Sequence, residues 1–296
     1  MTPGGSALTV VVVTYNSAPL LPALFASLDE GLAGIDRTEV VVVDNASSDG
    51  SADVARRLAP AATVIDAGGN AGYAAAINLG VRSRRQRGAV LVLNPDVRLS
   101  PGTAGALLRA LDDPTVGIAA PRIEDEDGTI QLSLRRAPTV ARALGEAVFG
   151  GTLAGRLSCF GEVVADRRVY QSGTDAEWAT GAALAIAPRC LDAVAEWDES
   201  FFLYSEETDY ALRAGDAGLR LRYVAGAVVT HIGGDAHRSP ALWALLVRNR
   251  VRLYRKRHGA AETAAFAAAV VLNELVRSRH ATHRAALRAL LSLRRR

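Results

Sequence analysis

The chain has few cysteines and lacks long apolar runs. Its two cysteines, Cys159 and Cys190, are too few for a disulfide framework or a cysteine-based zinc site. The longest apolar run near the C-terminus, Ala264–Leu272, has nine residues, whereas a membrane-spanning helix needs about 20. No positively charged segment followed by an apolar one opens the sequence, so we expect no signal peptide. These absences predict a soluble protein of the cytoplasmic type.

Several common catalytic and phosphate-binding motifs are also missing. The sequence has no G-x-x-x-x-G-K-[ST] phosphate loop and no G-x-G-x-x-G after its first strand-like segment. It contains neither H-E-x-x-H nor G-x-S-x-G. The remaining candidates are carboxylates, amides and a histidine. Such groups suit a nucleoside diphosphate held through a divalent cation, because hard cations take oxygen ligands and bridge phosphates.

Charge is distributed unevenly along the chain. Apolar residues make up 49% of the sequence and charged residues 22%, which excludes wholesale disorder. The net charge is +3, but from Leu242 onwards there are 13 basic and two acidic residues, or +11, so the preceding part carries −8. A basic C-terminal segment predicts an acidic partner, such as a nucleic acid or an anionic membrane, or else a solvated helical face.

The first half of the chain alternates strand and helix signals. Continuous β-branched or apolar runs predict buried strands at Thr9–Val13, Glu39–Val43, Thr63–Asp66, Ala89–Leu93 and Val116–Ala120. Helices are expected between them, at Pro19–Leu32, Ser51–Leu58, Ala74–Arg84 and Pro101–Leu111. Strands separated by single helices predict right-handed βαβ units and an α/β fold with a mostly parallel central sheet flanked by helices.

The pattern changes after Pro121. Residues 122–176 show no sustained period, which predicts irregular structure or a hairpin. Strands are expected at Trp178–Ile186, Leu219–Tyr223 and Ala227–His231, and helices at Glu207–Ala217, Ala241–His258 and Ala261–Arg279, with a last segment to Arg296. We expect one α/β domain at 1–240 and a basic helical tail at 241–296.

Polar residues follow four of the predicted strands, at Thr14–Ser17, Asp44–Gly50, Gly68–Gly72 and Asn94–Asp96. Residues of these types also cap helices and make turns, and Asp49 and Ser51 fit that role. In an open parallel sheet, however, ligands bind at the carboxyl ends of the strands. Capping alone does not explain four enriched strand ends, so the sequence predicts a binding site at this edge.

Seven motifs together carry a family resemblance: VVVTYNS, VVVDNASSDGS, GGNAGYAAAINLG, LVLNPDV, WATGAALAI, FFLYSEETDYALRAGDAGLRLRYV and AVVTHIGG. In this order and spacing, over about residues 8–235, the chain resembles glycosyltransferase family 2. Among its branches it is most similar to the bacterial rhamnosyltransferases of cell-wall and lipopolysaccharide assembly. The resemblance implies a GT-A fold, with a nucleotide-sugar half at about 8–121 and an acceptor half at about 122–240. It also implies a nucleotide-sugar donor, a divalent metal (Mg²⁺ or Mn²⁺) and inversion at the anomeric centre.

The resemblance assigns the metal to Asp96 and His231. Asp96 matches the last acid of the family's D-x-D motif. Asn94 stands in place of the first acid, where it can still hydrogen-bond a ribose hydroxyl. His231 matches the family's metal-binding histidine, with His237 as a second choice.

An inverting displacement needs one general base, and the candidates are Glu206, Glu207 and Asp209. These acids also complement the dipole of the helix that they begin. Relatives have Glu-Asp at the first two positions and use the second as the base, which maps to Glu207. Glu206 and Asp209 are the alternatives, and Asp209 can instead anchor Arg213 at i+4.

The resemblance also implies which residues bind donor and acceptor. The residues expected to contact the nucleotide sugar are Thr14, Asn16, Asp44, Asn45, Asn70, Gly72, Asn78, Asn94 and Asp96. Trp178, Thr180 and Gly181 are expected to shape the acceptor side, although a core position for Trp178 is equally open. Arg135 and Arg136 are candidates for a pyrophosphate or for the surface.

The basic tail has two interpretations. Trp243, Leu246, Val247, Val251 and Tyr254 recur at helical spacing, so this stripe lies in an anionic membrane interface or packs on the catalytic domain. The first interpretation predicts a peripheral enzyme at the cytoplasmic face of the cell membrane. No nucleic acid is expected as a partner, because few aromatic side chains lie among the arginines. A homo-oligomer is left open.

Our leading hypothesis is a metal-dependent transferase that moves L-rhamnose from dTDP-rhamnose to a saccharide or polyprenyl-diphosphate-linked acceptor. A relative that uses a UDP-sugar (galactofuranose, N-acetylglucosamine or glucose) is the alternative. A sugar nucleotidyltransferase would carry a Gly-rich, basic phosphate loop after the first strand, where this chain has TYNSAP. A non-catalytic relative conflicts with the joint presence of Asp96, Glu207 and His231.

Overall fold

A computed structural model describes residues 7–233 and 239–293. Its strands are β1 (Ala7–Thr14), β2 (Arg37–Asp44), β3 (Thr63–Asp66), β4 (Ala89–Leu93), β5 (Val97–Leu99), β6 (Val116–Glu124), β7 (Leu134–Arg135), β8 (Thr174–Ala176), β9 (Trp178–Ala179), β10 (Ala183–Ile186) and β11 (Arg220–His231). Its α-helices are α1 (Leu21–Gly31), α2 (Ser51–Leu58), α3 (Tyr73–Arg82), α4 (Thr103–Leu111), α5 (Val140–Phe149), α6 (Gly151–Ala154), α7 (Pro188–Val194), α8 (Glu206–Asp216), α9 (Pro240–Arg257), α10 (Ala260–Val276) and α11 (Ala281–Leu293). A 3₁₀ helix occupies Arg167–Gln171.

The chain forms two compact units, each built from separate stretches of sequence. The first unit comprises residues 1–133, 168–202 and 206–232, and the second comprises 134–167, 203–205 and 233–296. This division differs from the expected boundary at 240. The reason is that α5, from the region predicted to be irregular, packs with the C-terminal helix α10.

The first unit contains a nine-stranded sheet in the order β3-β2-β1-β4-β10-β6-β11-β5, with β8 also paired to β11. The pairs β3–β2, β2–β1 and β1–β4 are parallel, and so is β6–β11. Strand β10 runs antiparallel between β4 and β6. The apolar runs of β1 and β4 are buried, as expected for strands covered on both faces. The predicted α/β class is therefore confirmed.

Three local predictions differ from the structure. Strand β11 is one 12-residue strand rather than two, because an irregularity between Val224 and Val228 interrupts its pairing without ending it. The predicted strand at Trp178–Ile186 is divided into β9 and β10. Helix α5 was missed, although Thr139 caps it by accepting a hydrogen bond from the Arg142 amide.

The second unit is a bundle of helices around an apolar core. The core includes Val247 and Tyr254 of α9 and Phe266 of α10, and Trp243 and Leu246 pack against it. The apolar stripe of α9 therefore packs inside this unit, so it cannot be the lipid-facing stripe that one interpretation of the tail required. Within the described ranges, no helix has both the length and the apolar character needed to cross a membrane.

Two arginines bind partners inside the second unit. Arg250 forms ion pairs with Glu146, at 2.6 Å, and with Glu162. Arg136 donates hydrogen bonds to the carbonyl oxygens of Gly161 and Val163, both at 3.0 Å. The pyrophosphate contact considered for Arg136 does not fit these surroundings, because its guanidinium already serves the backbone.

Candidate active site

The ends of β1 and β2 place two predicted donor-binding residues side by side. Thr14 lies opposite Asp44 in the parallel register of these strands, and both residues are buried. Asp44 Oδ2 accepts a hydrogen bond from the Ser47 amide at 3.1 Å. Thr14 Oγ1 and Asp44 Oδ1 have no hydrogen-bond partner among the described residues. Because buried polar atoms are normally satisfied, this pair of oxygens marks a position where a ligand is expected.

The loops that follow β1 and β2 are tied together and locally strained. Asn16 and Ala46 adopt positive φ angles of 50° and 64°, which non-glycine residues rarely do. Asn16 Oδ1 accepts a hydrogen bond from the Ser48 backbone amide at 2.8 Å. The backbone amide of Asn16 donates to Ser47 Oγ at 2.9 Å. Backbone strain of this kind is often found at functional sites. Asn16 is exposed, so its predicted contact with the nucleotide is compatible with its position.

A second cross-link shapes the loop before α3. Asn45 donates a hydrogen bond to Asn70 Oδ1 at 2.9 Å and accepts one from the Ala71 amide at 3.2 Å. Gly72 has a φ of +96°, and a Cβ atom at this position would lie 2.4 Å from the carbonyl oxygen of Phe202. Gly72 is one of the residues expected to contact the nucleotide sugar, and its missing side chain leaves room for the backbone at Phe202.

Asp96 and His231 form a pair at the edge of the sheet. Strand β5 runs antiparallel to β11 and places His231 opposite Val97, one residue after Asp96. His231 Nε2 lies 3.3 Å from Asp96 Oδ2, and the Ile232 amide donates to the Asp96 carbonyl oxygen at 3.2 Å. Asp96 Oδ1 and His231 Nδ1 are buried and have no hydrogen-bond partner within the described part of the chain.

This pair fits a divalent cation that is completed by other ligands. An aspartate oxygen and an imidazole nitrogen are both usual metal ligands. The described residues contain no cluster of three or more His, Cys, Asp or Glu side chains arranged for a metal. Two protein ligands would therefore leave coordination positions for the phosphate oxygens of a ligand. The second choice, His237, lies outside the described residues.

Tyr73 is a residue of this region that the sequence analysis did not single out. Its hydroxyl donates a short hydrogen bond of 2.6 Å to Asn94 Oδ1. Burial raises the pKa of the Tyr73 phenol well above its ordinary value, and the carboxylates of Glu206, Asp96 and Glu207 raise this pKa further. The phenol therefore stays protonated among three carboxylates. In the sequence Tyr73 directly follows Gly72 in the GGNAGY motif, but nothing in that motif marks it as a site residue.

The acids at the start of α8 differ in their surroundings. Glu206 is buried, with 3% of its surface exposed, whereas Glu207 is half-buried. A Cβ atom built on Gly181 would lie 3.2 Å from Glu207 Cβ, so the glycine lies directly against this side chain. Thr180, the preceding residue, donates its amide hydrogen to the Ser133 carbonyl oxygen at 3.0 Å. The structure thus brings the predicted acceptor residue Gly181 next to the predicted base, while Trp178 is half-buried in β9.

Two predicted site residues are used elsewhere in the fold. Asp209 is fully buried and pairs with Arg213 at 2.8 Å, which is the i+4 anchor considered above and leaves it poorly suited to act as a base. Asn78 donates hydrogen bonds to the Trp197 carbonyl oxygen and to Glu199 Oε1, both at 2.9 Å. Asn78 Oδ1 also accepts from the Trp197 amide. A contact between Asn78 and the nucleotide does not fit this position.

The fold and these residues define a class of enzyme, and sequence comparison agrees. The family model described as "Glycosyl transferase family 2" matches residues 9–161, which is more than half of the chain. The chain belongs to glycosyltransferase family 2 and is a glycosyltransferase. This confirms the family expected from the seven motifs.

A curated relative is more specific. The chain is 32% identical over 235 residues to the N-acetylglucosaminyl-diphospho-decaprenol L-rhamnosyltransferase of Mycobacterium tuberculosis, and the match covers 76% of this chain and 75% of that protein. The chain is thus similar to a rhamnosyltransferase, in agreement with the branch suggested by its motifs.

Solved structures confirm the GT-A fold. A mannosyltransferase from Pyrobaculum calidifontis in complex with GDP-Man and Mn²⁺ matches with a TM-score of 0.62 and 21% identity, over 98% of this chain and 75% of that one. GalNAc-T7 with UDP, GalNAc and Mn²⁺ matches with a TM-score of 0.59 and 16% identity, over 84% of this chain and 48% of that one. At these identities the likeness establishes the fold alone.

Proposed function

We propose that this glycosyltransferase is an inverting, metal-dependent rhamnosyltransferase. It transfers L-rhamnose from dTDP-rhamnose to a polyprenyl-diphosphate-linked sugar during synthesis of a cell-envelope polysaccharide. The mycobacterial relative supports this choice of sugar and acceptor, since its name states both the L-rhamnosyl group and the diphospho-decaprenol carrier. The observation that carries the chemistry is the pair formed by Asp96 and His231, in which Asp96 Oδ1 and His231 Nδ1 have no hydrogen-bond partner among the residues that the structure describes.

Asp96 and His231 would hold the cation together with the donor diphosphate. The cation, Mg²⁺ or Mn²⁺, supplies positive charge that stabilises the departing diphosphate. The Tyr73 hydroxyl donates to Asn94 Oδ1 at 2.6 Å, which fixes the orientation of this amide two residues before Asp96. An amide in place of the first acid of D-x-D removes one negative charge from the site. This lowers the repulsion that the donor diphosphate meets.

We assign the general base to Glu207. An inverting displacement needs one base that takes a proton from the acceptor hydroxyl on the side opposite the leaving group. Glu207 is more accessible than the buried Glu206, and Asp209 is already paired with Arg213. The absence of a side chain at Gly181 lets its backbone pack directly against Glu207, and Thr180 and Trp178 are expected to line the acceptor nearby.

The acceptor class also places the enzyme at a membrane. A polyprenyl-diphosphate-linked sugar stays anchored in the bilayer, and nucleotide sugars are made in the cytoplasm. We therefore propose a peripheral position at the cytoplasmic face of the cell membrane. The basic second unit supports this position, because Lys and Arg attract anionic lipid surfaces.

A donor and metal screen tests the proposal. Transfer is measured with dTDP-rhamnose, UDP-glucose, UDP-N-acetylglucosamine and UDP-galactofuranose, onto a water-soluble short-chain N-acetylglucosaminyl-diphospho-lipid. Each donor is assayed with Mg²⁺, Mn²⁺ or chelator. We expect transfer from dTDP-rhamnose, loss of activity with chelator, and an inverted anomeric configuration by NMR. A clear preference for a UDP-sugar overturns the donor assignment, and full activity in chelator overturns the metal assignment.

A further inference from the structure

The second unit exposes an unusual amount of apolar surface. Fourteen large hydrophobic side chains are exposed among the described residues, and ten of them belong to this unit although it holds about a third of the chain. Single exposed hydrophobic residues are ordinary, but a concentration in one region marks an interaction surface. The ten residues are Leu144, Val148, Phe149, Leu153, Leu157, Phe160, Leu272, Leu275, Val276 and Leu291.

Contacts within the unit connect the end of α5 with the segment that follows α6. The rings of Phe149 and Phe160 meet edge to face with centroids 6.5 Å apart. A Cβ atom at Gly145 of α5 would overlap the Phe160 carbonyl oxygen, so the segment after α6 packs directly on α5. These contacts bring the end of α5 and the segment after α6 into one surface.

The last turn of α10 lies beside the same surface. Arg277, the residue after α10, donates hydrogen bonds to the carbonyl oxygens of Glu146 and Ala147 at the end of α5, at 3.0 and 3.2 Å. Val148 follows Ala147 in the chain, and Val276 precedes Arg277. They are 66% and 63% exposed.

Charge identifies the occupant of this surface. The second unit holds 19 basic and six acidic residues, a net charge of +13, while the first unit carries −10. Arg156 is exposed between Leu153 and Leu157 and has no acidic partner within the described ranges. Arg284 is exposed and donates to the carbonyl oxygens of Ser278 and Arg279, close after Val276. Apolar side chains interleaved with arginine match an anionic lipid interface, into which apolar groups insert while cations meet the headgroups.

We propose that the enzyme docks on anionic bilayers through this surface, which we call the docking face: Val148, Phe149, Leu153, Leu157, Leu275 and Val276. The docking face replaces the α9 stripe as the membrane contact, since that stripe is packed in the core. The inference rests on the proposed function in one respect, namely that the acceptor is carried by a membrane. It identifies which residues hold the enzyme there.

Vesicle sedimentation with the full chain tests the docking face. Wild type is compared with Phe149→Glu and Val276→Glu on phosphatidylcholine vesicles with or without phosphatidylglycerol. Leu58→Glu is the matched control, because Leu58 is 42% exposed but belongs to the first unit. We expect wild type and the control to bind the mixed vesicles, and each docking-face variant to bind about tenfold or more weakly, as loss of one buried apolar side chain predicts. Binding to pure phosphatidylcholine should be weak for all four proteins.

Several results would overturn the proposal. One is equal binding by wild type and both variants, and another is no binding by wild type. A third is a wild-type dimer that Phe149→Glu converts to monomer, which makes the surface a contact between copies. Thermal melting checks folding, and Phe149→Ser replaces any variant that does not fold. Transfer to the water-soluble acceptor should be unchanged in the docking-face variants. If wild type binds vesicles but shows no transfer, the proposed function is contradicted and the docking face is not.

Discussion

Asn249 Nδ2 donates a hydrogen bond to the carbonyl oxygen of Leu203 at 2.9 Å. A second bond from the same atom reaches the Tyr204 carbonyl oxygen at 3.3 Å. Asn249 is only 2% exposed on α9, and the backbone that it holds is strained, with positive φ angles of 68° at Tyr204 and 76° at Ser205. Glu206 follows at once along the chain. A residue of the C-terminal segment thus holds the peptide that leads into α8.

We expect Asn249→Ala to lower kcat by about 10–100-fold, since small misplacements of a catalytic group have effects of that size. The KM for the donor should change little, because no predicted donor contact is touched. Asn273→Ala is the control, because Asn273 also lies in the C-terminal helices but does not contact the Leu203–Ser205 backbone. Steady-state kinetics on both variants check the prediction. An equal loss in both variants, or a change confined to KM, would contradict a positioning role for Asn249.

Glu207→Gln should lower turnover by about 10²–10⁴-fold, the range typical of general-base removal. Glutamine keeps the size and hydrogen bonding of the side chain, so donor affinity should persist. The same change at the buried Glu206 should have a smaller effect on turnover. Turnover of both variants, at matched donor occupancy, decides the assignment. If Glu206→Gln is the inactive variant and Glu207→Gln is nearly normal, the base is Glu206.

Asp96→Asn should weaken metal-dependent binding of dTDP and UDP by at least about tenfold, because even supporting residues of metal sites have effects of that size. Adding chelator to wild type should have a similar effect. The control is Asp192→Asn, which changes an exposed carboxylate on α7. Calorimetry with Mg²⁺, Mn²⁺ or chelator measures both variants. Equal affinities for wild type and Asp96→Asn in every condition would remove Asp96 from the metal site.

Gly72→Ala should destabilise the protein by about 2–4 kcal/mol, the sum expected for a strained φ and a steric overlap with the Phe202 carbonyl. Gly69→Ala, three residues earlier in the same loop, should have little effect. Its added methyl group meets nothing within 4 Å, and its φ is not positive. Chemical denaturation measures the free energy of unfolding of both variants and of wild type. A stable Gly72→Ala protein with weakened donor binding would restore the role in the nucleotide pocket.

Arg250→Met should destabilise the second unit by about 3–5 kcal/mol, because it leaves Glu146 and Glu162 buried without their cation. Burial raises the pKa of Glu162 above its ordinary value, and the Arg250 charge partly offsets this rise. Arg248→Met, on the exposed side of the same helix, is the control and should have little effect. Thermal denaturation measures both. Similar melting temperatures for the two variants would show that the ion pairs contribute little.

The sequence predicted the core of the sheet well because its signals are local. Buried valine runs at β1 and β2 and the polar residues after them identify both the strands and the edge where ligands bind. The structure aligns these two runs and sets Thr14 beside Asp44. The order of β10, β6 and β11 could not be predicted, since antiparallel insertion of β10 depends on pairing over long sequence distances.

Some site residues could be predicted from the sequence and others could not. Asp96 and His231, far apart in sequence, were paired only through the family motifs, and the structure brings them to 3.3 Å. Amide side chains misled the sequence analysis, since an asparagine such as Asn78 serves a ligand or the backbone equally well. Tyr73 was overlooked because a tyrosine at a helix start has no distinctive pattern until the carboxylates around it are known.

The second unit is built from segments that lie far apart in the chain, and this has a consequence for synthesis on the ribosome. Helix α5 emerges well before its partner α10, with more than a hundred residues between them. At 5–20 residues per second, the delay is on the order of 10 s. Throughout that interval the apolar faces of α5 and the carboxylate of Glu146 have no partner from the C-terminal helices. Nascent chains therefore expose these groups until the C-terminal helices are made, and truncation within α9 should give an aggregating product rather than a shorter enzyme.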